Sequence, residues 1–406
     1  MQAQRVLFVL NSAGGGASLG IYELVRNLPR DEFVPYAVLP GGGEVLADRN
    51  HSLFRDVRSV PMPWWNLNRE AGPMRRAAFA LGRWRHGMTI QASRQAIVRA
   101  ICDWDVDLVH TGTALTLGGA LAAKELGKPH VWHIKECIGK NNRVQFAMDD
   151  SKLVHFMSGL SDTVIAMSNY VARIFLEHGC RNLVIIPDGV DLEHYGSSQS
   201  RRLRDEVGVK QNELLVGMVA SMTSTWKRHD VFIRAVGLLA KKAPNCHFVV
   251  IGPMPSGSAR WPHDRPRRWY EGLTRLARAC VPPGRLTFVD YLSDSADIMR
   301  SLDVLVHPCE IEPFGRIAIE AMACGTPIVG PTTGGVSETV VDGETGLLAE
   351  PGDPKAFAGA VRTLIDNAEL RQRQGRMGRA RVADMFTVDH QVRNLTKTYN
   401  AILKNP

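Results

Sequence analysis

Cysteine is scarce in this chain and nowhere paired: seven residues among 406, an odd number, with no Cys-x-x-Cys. A disulfide framework is excluded on that count, a structural zinc site is not expected, and the thiols read as reduced and mostly buried. Long hydrophobic runs are also missing, so no segment is a candidate to cross a bilayer. The N-terminus opens on a strand pattern, Arg5-Val6-Leu7-Phe8-Val9-Leu10, instead of a signal peptide, and the expected location is cytoplasmic. No internal repeat or low-complexity tract stands out. What is present, 45% hydrophobic and 22% charged residues over 406 positions, suits a globular protein with room for two cores.

Acids are fewer than bases, 41 against 49, and the resulting net charge of +8 is unevenly spread. Between Arg69 and Arg99 stand seven arginines and one acid, Glu70, with Trp64, Trp65 and Trp84 in or beside the stretch. Arginine next to tryptophan suits an anionic membrane surface, which attracts the cation and accommodates the ring. Segment 64–99 is therefore a candidate for peripheral attachment to the inner face of a membrane. The competing reading is a solvated helix face plus a loop packed on its own domain, because Gly82 and Gly87 break the apolar stripe. Nucleic acid is not expected as a partner, since no recognised binding module accompanies the charge.

Apolar, β-branched runs alternate with helical patterns throughout, which predicts α/β architecture with parallel sheets. The first half offers strands near 5–11, 34–39, 106–111, 129–134, 163–167 and 183–187. The second offers them near 214–220, 246–252, 285–289, 303–307, 326–330 and 346–350. Two such sets predict two Rossmann-like domains, 1–195 and 196–387, divided where Gly196-Ser197-Ser198-Gln199-Ser200 interrupts the pattern. After the first strand comes Asn11-Ser12-Ala13-Gly14-Gly15-Gly16-Ala17-Ser18-Leu19-Gly20. Gly14 and Gly16 match a dinucleotide fingerprint, but Leu19 fills its last position and the second strand ends Leu39-Pro40-Gly41 with no acid for a ribose. A nicotinamide site is disfavoured. Gly15 and Gly16 are candidates for close backbone approach to a phosphate, or equally for a tight turn packing strand on helix.

The densest signal is Glu312-Pro313-Phe314-Gly315-Arg316-Ile317-Ala318-Ile319-Glu320-Ala321-Met322-Ala323-Cys324-Gly325. Pro313 and Gly315 break what precedes, and the run after them favours a helix. Its unpaired N-terminal amides and partial positive charge suit a phosphate. Glu320 then lies within reach of a ribose, and Glu312, just before the helix, within reach of the hydroxyls of an attached sugar. The arrangement suits a nucleotide sugar.

The same run resembles the Glu-x7-Glu motif of retaining glycosyltransferase family 4. The likeness continues through Thr326-Pro327-Ile328-Val329-Gly330, Gly334-Gly335-Val336-Ser337-Glu338 and Asp342-Gly343-Glu344-Thr345-Gly346-Leu347-Leu348. The resemblance implies the GT-B fold, two Rossmann-like domains with parallel sheets facing an interdomain cleft. It implies an acceptor-binding first domain to which a last helix, 388–406, crosses back, and a donor-binding second domain. It assigns the donor diphosphate to Phe314 and Gly315, the ribose to Glu320 and the donor sugar to Glu312. His133, at the end of the strand in His130-Val131-Trp132-His133-Ile134-Lys135-Glu136, matches the family's histidine beside the transferred sugar, and Glu136 is a candidate cleft or acceptor residue. Lys227 matches the family's phosphate-binding lysine. The arginine that usually accompanies it is replaced by Met222, so Arg228 or Arg316 has to compensate, or donor binding is weakened. Gly15 and Gly16 would meet donor phosphate or acceptor.

No metal or other cofactor is implied. Asp103-Trp104-Asp105 looks like the metal motif of a different transferase fold, but two carboxylates leading into a strand are poor grounds for a cation. The function expected is transfer of a sugar, of hexosyltransferase type, from a UDP-sugar or GDP-sugar to a hydroxyl of a sugar or lipid-linked acceptor, as in polysaccharide biosynthesis. The alternatives are a non-catalytic nucleotide-sugar binding protein and a nucleotide-sugar epimerase on a similar fold.

Overall fold

The structure, a computed structural model, describes residues 3–11, 16–41, 51–68, 83–196, 200, 202–255 and 264–404. Gly15, and the arginines from Arg69 to Arg76, lie outside the described residues. The chain forms two compact units, 1–189 together with 388–406, and 190–387.

Among the described residues the first unit carries nine strands: β1 (Gln4–Val9), β2 (Phe33–Pro40), β3 (Val57–Val60), β4 (Leu67–Asn68), β5 (Leu108–Thr111), β6 (His130–Ile134), β7 (Val144–Gln145), β8 (Thr163–Ala166) and β9 (Leu183–Ile185). Seven of them make one parallel sheet in the order β3-β2-β1-β5-β6-β8-β9, while β4 and β7 form a separate antiparallel pair. Six of the seven follow from continuous apolar runs, which the central strands, covered on both faces, require. Strand β3 was not expected, because Val57-Arg58-Ser59-Val60 is short, polar in its middle and at the sheet edge, where burial writes only a weak pattern into the sequence.

Trp65 corrects part of the membrane reading. Its ring is buried against Trp132, Phe146 and Phe156, and its indole N–H donates to the Ala114 carbonyl at 2.7 Å, so it is a core residue. Trp64 beside it is half exposed. Arg94 and Arg99 lie on the helix Arg83–Asp103, which buries Ile97, Ala100 and Ile101 in the domain core, and Arg94 pairs with Glu125 at 2.9 Å. Asp103 and Asp105 are likewise structural, paired with Arg58 at 2.9 Å and with Arg5 at 2.6 Å.

The helix Val388–Lys404 packs into the first unit because Val388, Val392, Leu395 and Tyr399 recur on one face and share a core with Phe8, Phe33 and Leu108. A buried polar set reinforces it. The Gln391 amide donates to Asp188 at 2.9 Å and accepts from the Gly189 N–H at 3.0 Å, and Asp188 is ion-paired with the fully buried Lys135. Removing one member of such a pair strands the other charge, at a cost of roughly 3–5 kcal/mol. The expected boundary at 195 moves to 189–190, because Val190 N–H bonds to the Phe386 carbonyl and the Tyr195 hydroxyl to Ser295, both within the second unit.

Among the described residues the second unit has six parallel strands, β10 (Leu214–Val219), β11 (Cys246–Ile251), β12 (Leu286–Val289), β13 (Val304–Val306), β14 (Ile328–Pro331) and β15 (Gly346–Ala349), ordered β12-β11-β10-β13-β14-β15. The chain builds outward from β10 through β11 and β12, then returns to β10's other side with β13. Strand order reverses between β10 and β13, and it reverses in the same way between β1 and β5 in the first sheet. Loops leaving adjacent strands at such a point diverge to opposite faces of the sheet, which opens a crevice at the carboxyl ends.

Three buried histidines on β5 and β6 make the stability of the first unit sensitive to acid. Burial, aided by Lys135 at His110 and His133, lowers their pKa values: to about 3 for His110 and His130, and well below the usual value for His133. Above about pH 6.5 both folded and unfolded chains hold them neutral, and the stabilisation is complete. Between there and about pH 3 the unfolded chain takes up protons that the folded unit refuses, so stability falls with pH at up to about 1.4 kcal/mol per pH unit for each histidine. Urea unfolding is expected to shift to clearly lower midpoint between about pH 7.5 and about pH 5; equal midpoints would contradict the burial of neutral imidazoles.

Candidate functional site

At the carboxyl end of β10 the chain runs through Ser221 and Met222 to a single 3-10 turn, Thr225–Lys227, and Arg228 then joins it to the helix His229–Leu239. Arg228 has φ 58°, a left-handed conformation that non-glycine residues avoid. It is held there by ion pairs to Asp230 at 3.2 Å and to Glu310. At the carboxyl end of β13 come His307, Cys309, Glu310 and Glu312, and then the helix Arg316–Ala323. Both segments therefore reach the point where strand order reverses, one from each side.

They meet at Glu312. Its Oε2 accepts from Lys227 Nζ at 2.7 Å and lies 3.1 Å from His307 Nε2. Burial alone would push the Glu312 carboxyl up, but Lys227 and His307 outweigh it and hold the group far below the usual carboxylate range. Burial keeps His307 neutral against the pull of Glu312. Lys227 Nζ also sits 3.8 Å above the Trp226 ring, which helps orient the ammonium. The product is a fixed carboxylate beside a fixed cation.

The helix Arg316–Ala323 starts at Gly315, whose φ of 86° and whose added Cβ, 2.7 Å from Val336 Cγ2, both require glycine. Gly315 at its N-cap carries no side chain to cap it, and the Ala318 N–H turns back to the Gly315 carbonyl at 2.8 Å; a helix start of this kind suits an anion. Phe314 is buried against Phe386 and anchors the turn. Gly335 lets the next loop lie against it, since a Cβ there would fall 2.4 Å from Phe314 Cα, and its N–H donates to the Glu312 carbonyl at 2.7 Å. Glu320, one turn into the helix and largely buried, pairs with Arg316 Nε at 2.9 Å.

Lys227, Arg228, Glu312, Phe314, Gly315, Arg316 and Glu320 thus all belong to the second unit, around one loop pair. Arg228 and Arg316 each already have a carboxylate partner. Met222 is fully buried in the core with Val231 and Phe232. Its replacement of an arginine is therefore a packing substitution, with the side chain turned inward.

In the first unit Gly16 opens the helix Gly16–Arg26, and Glu136 follows β6. Glu136 accepts from the Thr113 hydroxyl at 2.5 Å and from the Ala114 N–H at 2.9 Å, tying the loops after β5 and β6 together; burial nevertheless raises its pKa. His133 is completely buried, its ring edge-on to His110 at 5.3 Å between centroids, and neither ring nitrogen has a hydrogen-bond partner among the described residues. His110 in turn meets the Tyr399 hydroxyl at 2.6 Å.

Sequence reasoning missed His307, Cys309 and Glu310. The signal available was their position, in the few residues between a β-branched run and the Glu312 motif, but a single histidine and an unpaired cysteine carry no spacing rule. Glu310 was hidden because its partner, Arg228, lies on another strand's loop.

Residues 199–381 match the family profile described as Glycosyl transferases group 1, and residues 14–194 match Glycosyltransferase Family 4. Among curated proteins the chain is similar to the D-inositol 3-phosphate glycosyltransferase of Streptomyces avermitilis, 29% identical over 318 residues, covering 73% of this chain and 66% of that protein. It is similar to that of Streptomyces scabiei, 30% identical over 317 residues, covering 73% and 68%. The aligned chain thus spans about two thirds of the length of these relatives. In fold it is similar to Anabaena HepE in complex with UDP, TM-score 0.75 at 22% identity, covering 98% of this chain and 100% of that one. A glycosyltransferase from Rickettsia africae gives a TM-score of 0.78 at 19% identity, with 100% of both chains covered.

The burial of Met222 makes a prediction. Met222→Arg, which restores the residue type usual at that position, should destabilise the protein by about 3 kcal/mol or more, because it forces an unpaired charge into the core. Denaturant unfolding would measure this. A variant as stable as the parent that binds nucleotide more tightly would show that the side chain can reach the phosphate site.

Proposed function

The chain belongs to glycosyltransferase family 4, with the GT-B fold, and from that premise we propose that it is a retaining glycosyltransferase using a nucleoside diphosphate sugar. The observation that carries this reading is the Lys227–Glu312–His307 cluster beside the start of the helix Arg316–Ala323, at the strand-order reversal of the second sheet. The second unit binds the donor. Helix amides at Gly315 and Arg316, with Lys227, take the diphosphate; Glu320 takes the ribose; Glu312 holds the donor sugar. Arg228 and Arg316 supply positive potential in place of the missing arginine, and exchange part of their carboxylate contact for phosphate. The first unit binds the acceptor, with Glu136 in the loop after β6; Gly15 and Gly16 meet donor phosphate or acceptor, and His133, on β6, acts beside the transferred sugar.

Catalysis in this scheme is electrostatic. The bond from the anomeric carbon to the phosphate oxygen breaks while Lys227 and the helix amides stabilise the departing diphosphate. The acceptor hydroxyl attacks from the same face, and its proton passes to the departing phosphate oxygen, so configuration is retained. Positive charge developing on the sugar is countered by Glu312, whose carboxylate is held ionised. No metal is needed for these steps, since Lys227 and the helix dipole neutralise the leaving group.

UDP is the favoured base, because HepE, similar in fold, was crystallised with UDP-glucose. The relatives' activity on D-inositol 3-phosphate favours a small phosphorylated polyol or sugar as acceptor. A lipid-linked acceptor rests on the basic stretch and the half-exposed Trp64.

Calorimetric titration of UDP and GDP into the wild type and Glu320→Ala tests the donor site. UDP is expected to bind, and the variant to bind at least about tenfold more weakly, the effect of losing a charged hydrogen bond to the ribose. No binding of either nucleotide would turn the reading toward a degenerate protein. For the membrane, flotation with liposomes containing anionic lipid at low salt is expected to carry the wild type upward; protein left at the bottom would sink that part of the reading.

A further inference from the structure

His307, Cys309 and Glu312 together offer an imidazole nitrogen, a thiol and a carboxylate oxygen, all within 4.8 Å of one another. We propose that these three residues bind a thiophilic divalent cation, zinc foremost, and that occupancy switches the donor site off. The ligand types are those of an open zinc site, three protein ligands with one position left for water.

The geometry requires little movement. Zinc bonds of about 2.0–2.3 Å set ligand atoms roughly 3.3–3.8 Å apart. His307 Nε2 and Glu312 Oε2 are already at 3.1 Å, and the Cys309 side chain closes the set from within about an ångström or so of that spacing. Three features hold the ligands in place. His307 N–H donates to the Val329 carbonyl at 2.9 Å, which fixes it at the end of β13. Cys309 is fully buried, and the Glu312 backbone is clamped by the Gly335 N–H at 2.7 Å. In the metal-free site His307 Nε2–H faces the Glu312 carboxylate; metal binding at Nε2 moves that proton to Nδ1, which is buried and has no hydrogen-bond partner among the described residues.

Chemistry makes the site inhibitory. A cation on Glu312 Oε2 competes for the oxygen that Lys227 holds at 2.7 Å. The thiol proton leaves to solvent as the metal–sulfur bond forms, and the carboxylate is no longer available to a sugar. The metal site itself stands without the glycosyltransferase reading; only the inhibitory consequence rests on it.

Titration of the purified full chain with Co²⁺, used as a coloured substitute for zinc, tests the site. A thiolate-to-cobalt charge-transfer absorption is expected in the wild type, saturating at one ion per chain and abolished by added Zn²⁺. In Cys309→Ser it should vanish, and the affinity for Zn²⁺ measured by calorimetry should fall by at least about 10- to 100-fold. The same variant should bind UDP like the wild type, which shows that it is folded, and its turnover should resist Zn²⁺ that stops the wild type and is reversed by a chelator. No thiolate band, or an equal band in Cys309→Ser, overturns the proposal. A band lost in Cys309→Ser from a chain that binds no nucleotide upholds the metal site and sinks the donor reading instead.

Discussion

Everything at the candidate site depends on the reversal of strand order between β10 and β13. Parallel strands cannot be joined by tight hairpins, so each connection crosses over through a helix and every strand points the same way. All carboxyl ends therefore gather on one edge. Where the order reverses, two loops whose contacting residues, Lys227 and Glu312, stand 85 positions apart in the chain leave side by side and diverge. Lys227 comes from one and Glu312 from the other, and their contact at 2.7 Å is what that topology produces.

Electrostatics then sets the character of the place. Glu312 is largely buried, which by itself would favour the neutral acid, yet a lysine and a histidine within 3.1 Å reverse the balance. The second ring of charges behaves alike: Arg228 with Glu310 and Asp230, Arg316 with Glu320. Each cation is neutralised locally, so the site avoids unpaired charge while keeping groups that can exchange a carboxylate for a phosphate. The left-handed backbone at Arg228 is the local strain that goes with this arrangement.

The first unit solves a different problem, that of attaching a helix from the far end of the chain. Apolar contact through Leu395 and Tyr399 is supplemented by buried polar links, Tyr399 to His110 and Gln391 to Asp188. Such links are directional, and they fix the helix's rotation and register where apolar packing alone would tolerate sliding.

The apolar strands, central ones above all, can be read from the residues alone, because burial on both faces leaves a continuous β-branched run. The sequence by itself also determined the Glu312–Glu320 segment and the helix that starts after Gly315, since those depend on neighbours along the chain and on a glycine that local geometry demands. The last helix was legible for the same reason, its apolar positions repeating on one face. Edge strand β3, the core role of Trp65 and the inward turn of Met222 were not legible, because an edge position or a buried side chain is a relation to distant segments. Tertiary structure alone decided that Lys227 meets Glu312, that Arg228 is matched by Glu310, and that an unpaired cysteine stands beside a histidine and a carboxylate. Pairing across a crossover is set by strand order, and strand order is not written in any one stretch of residues.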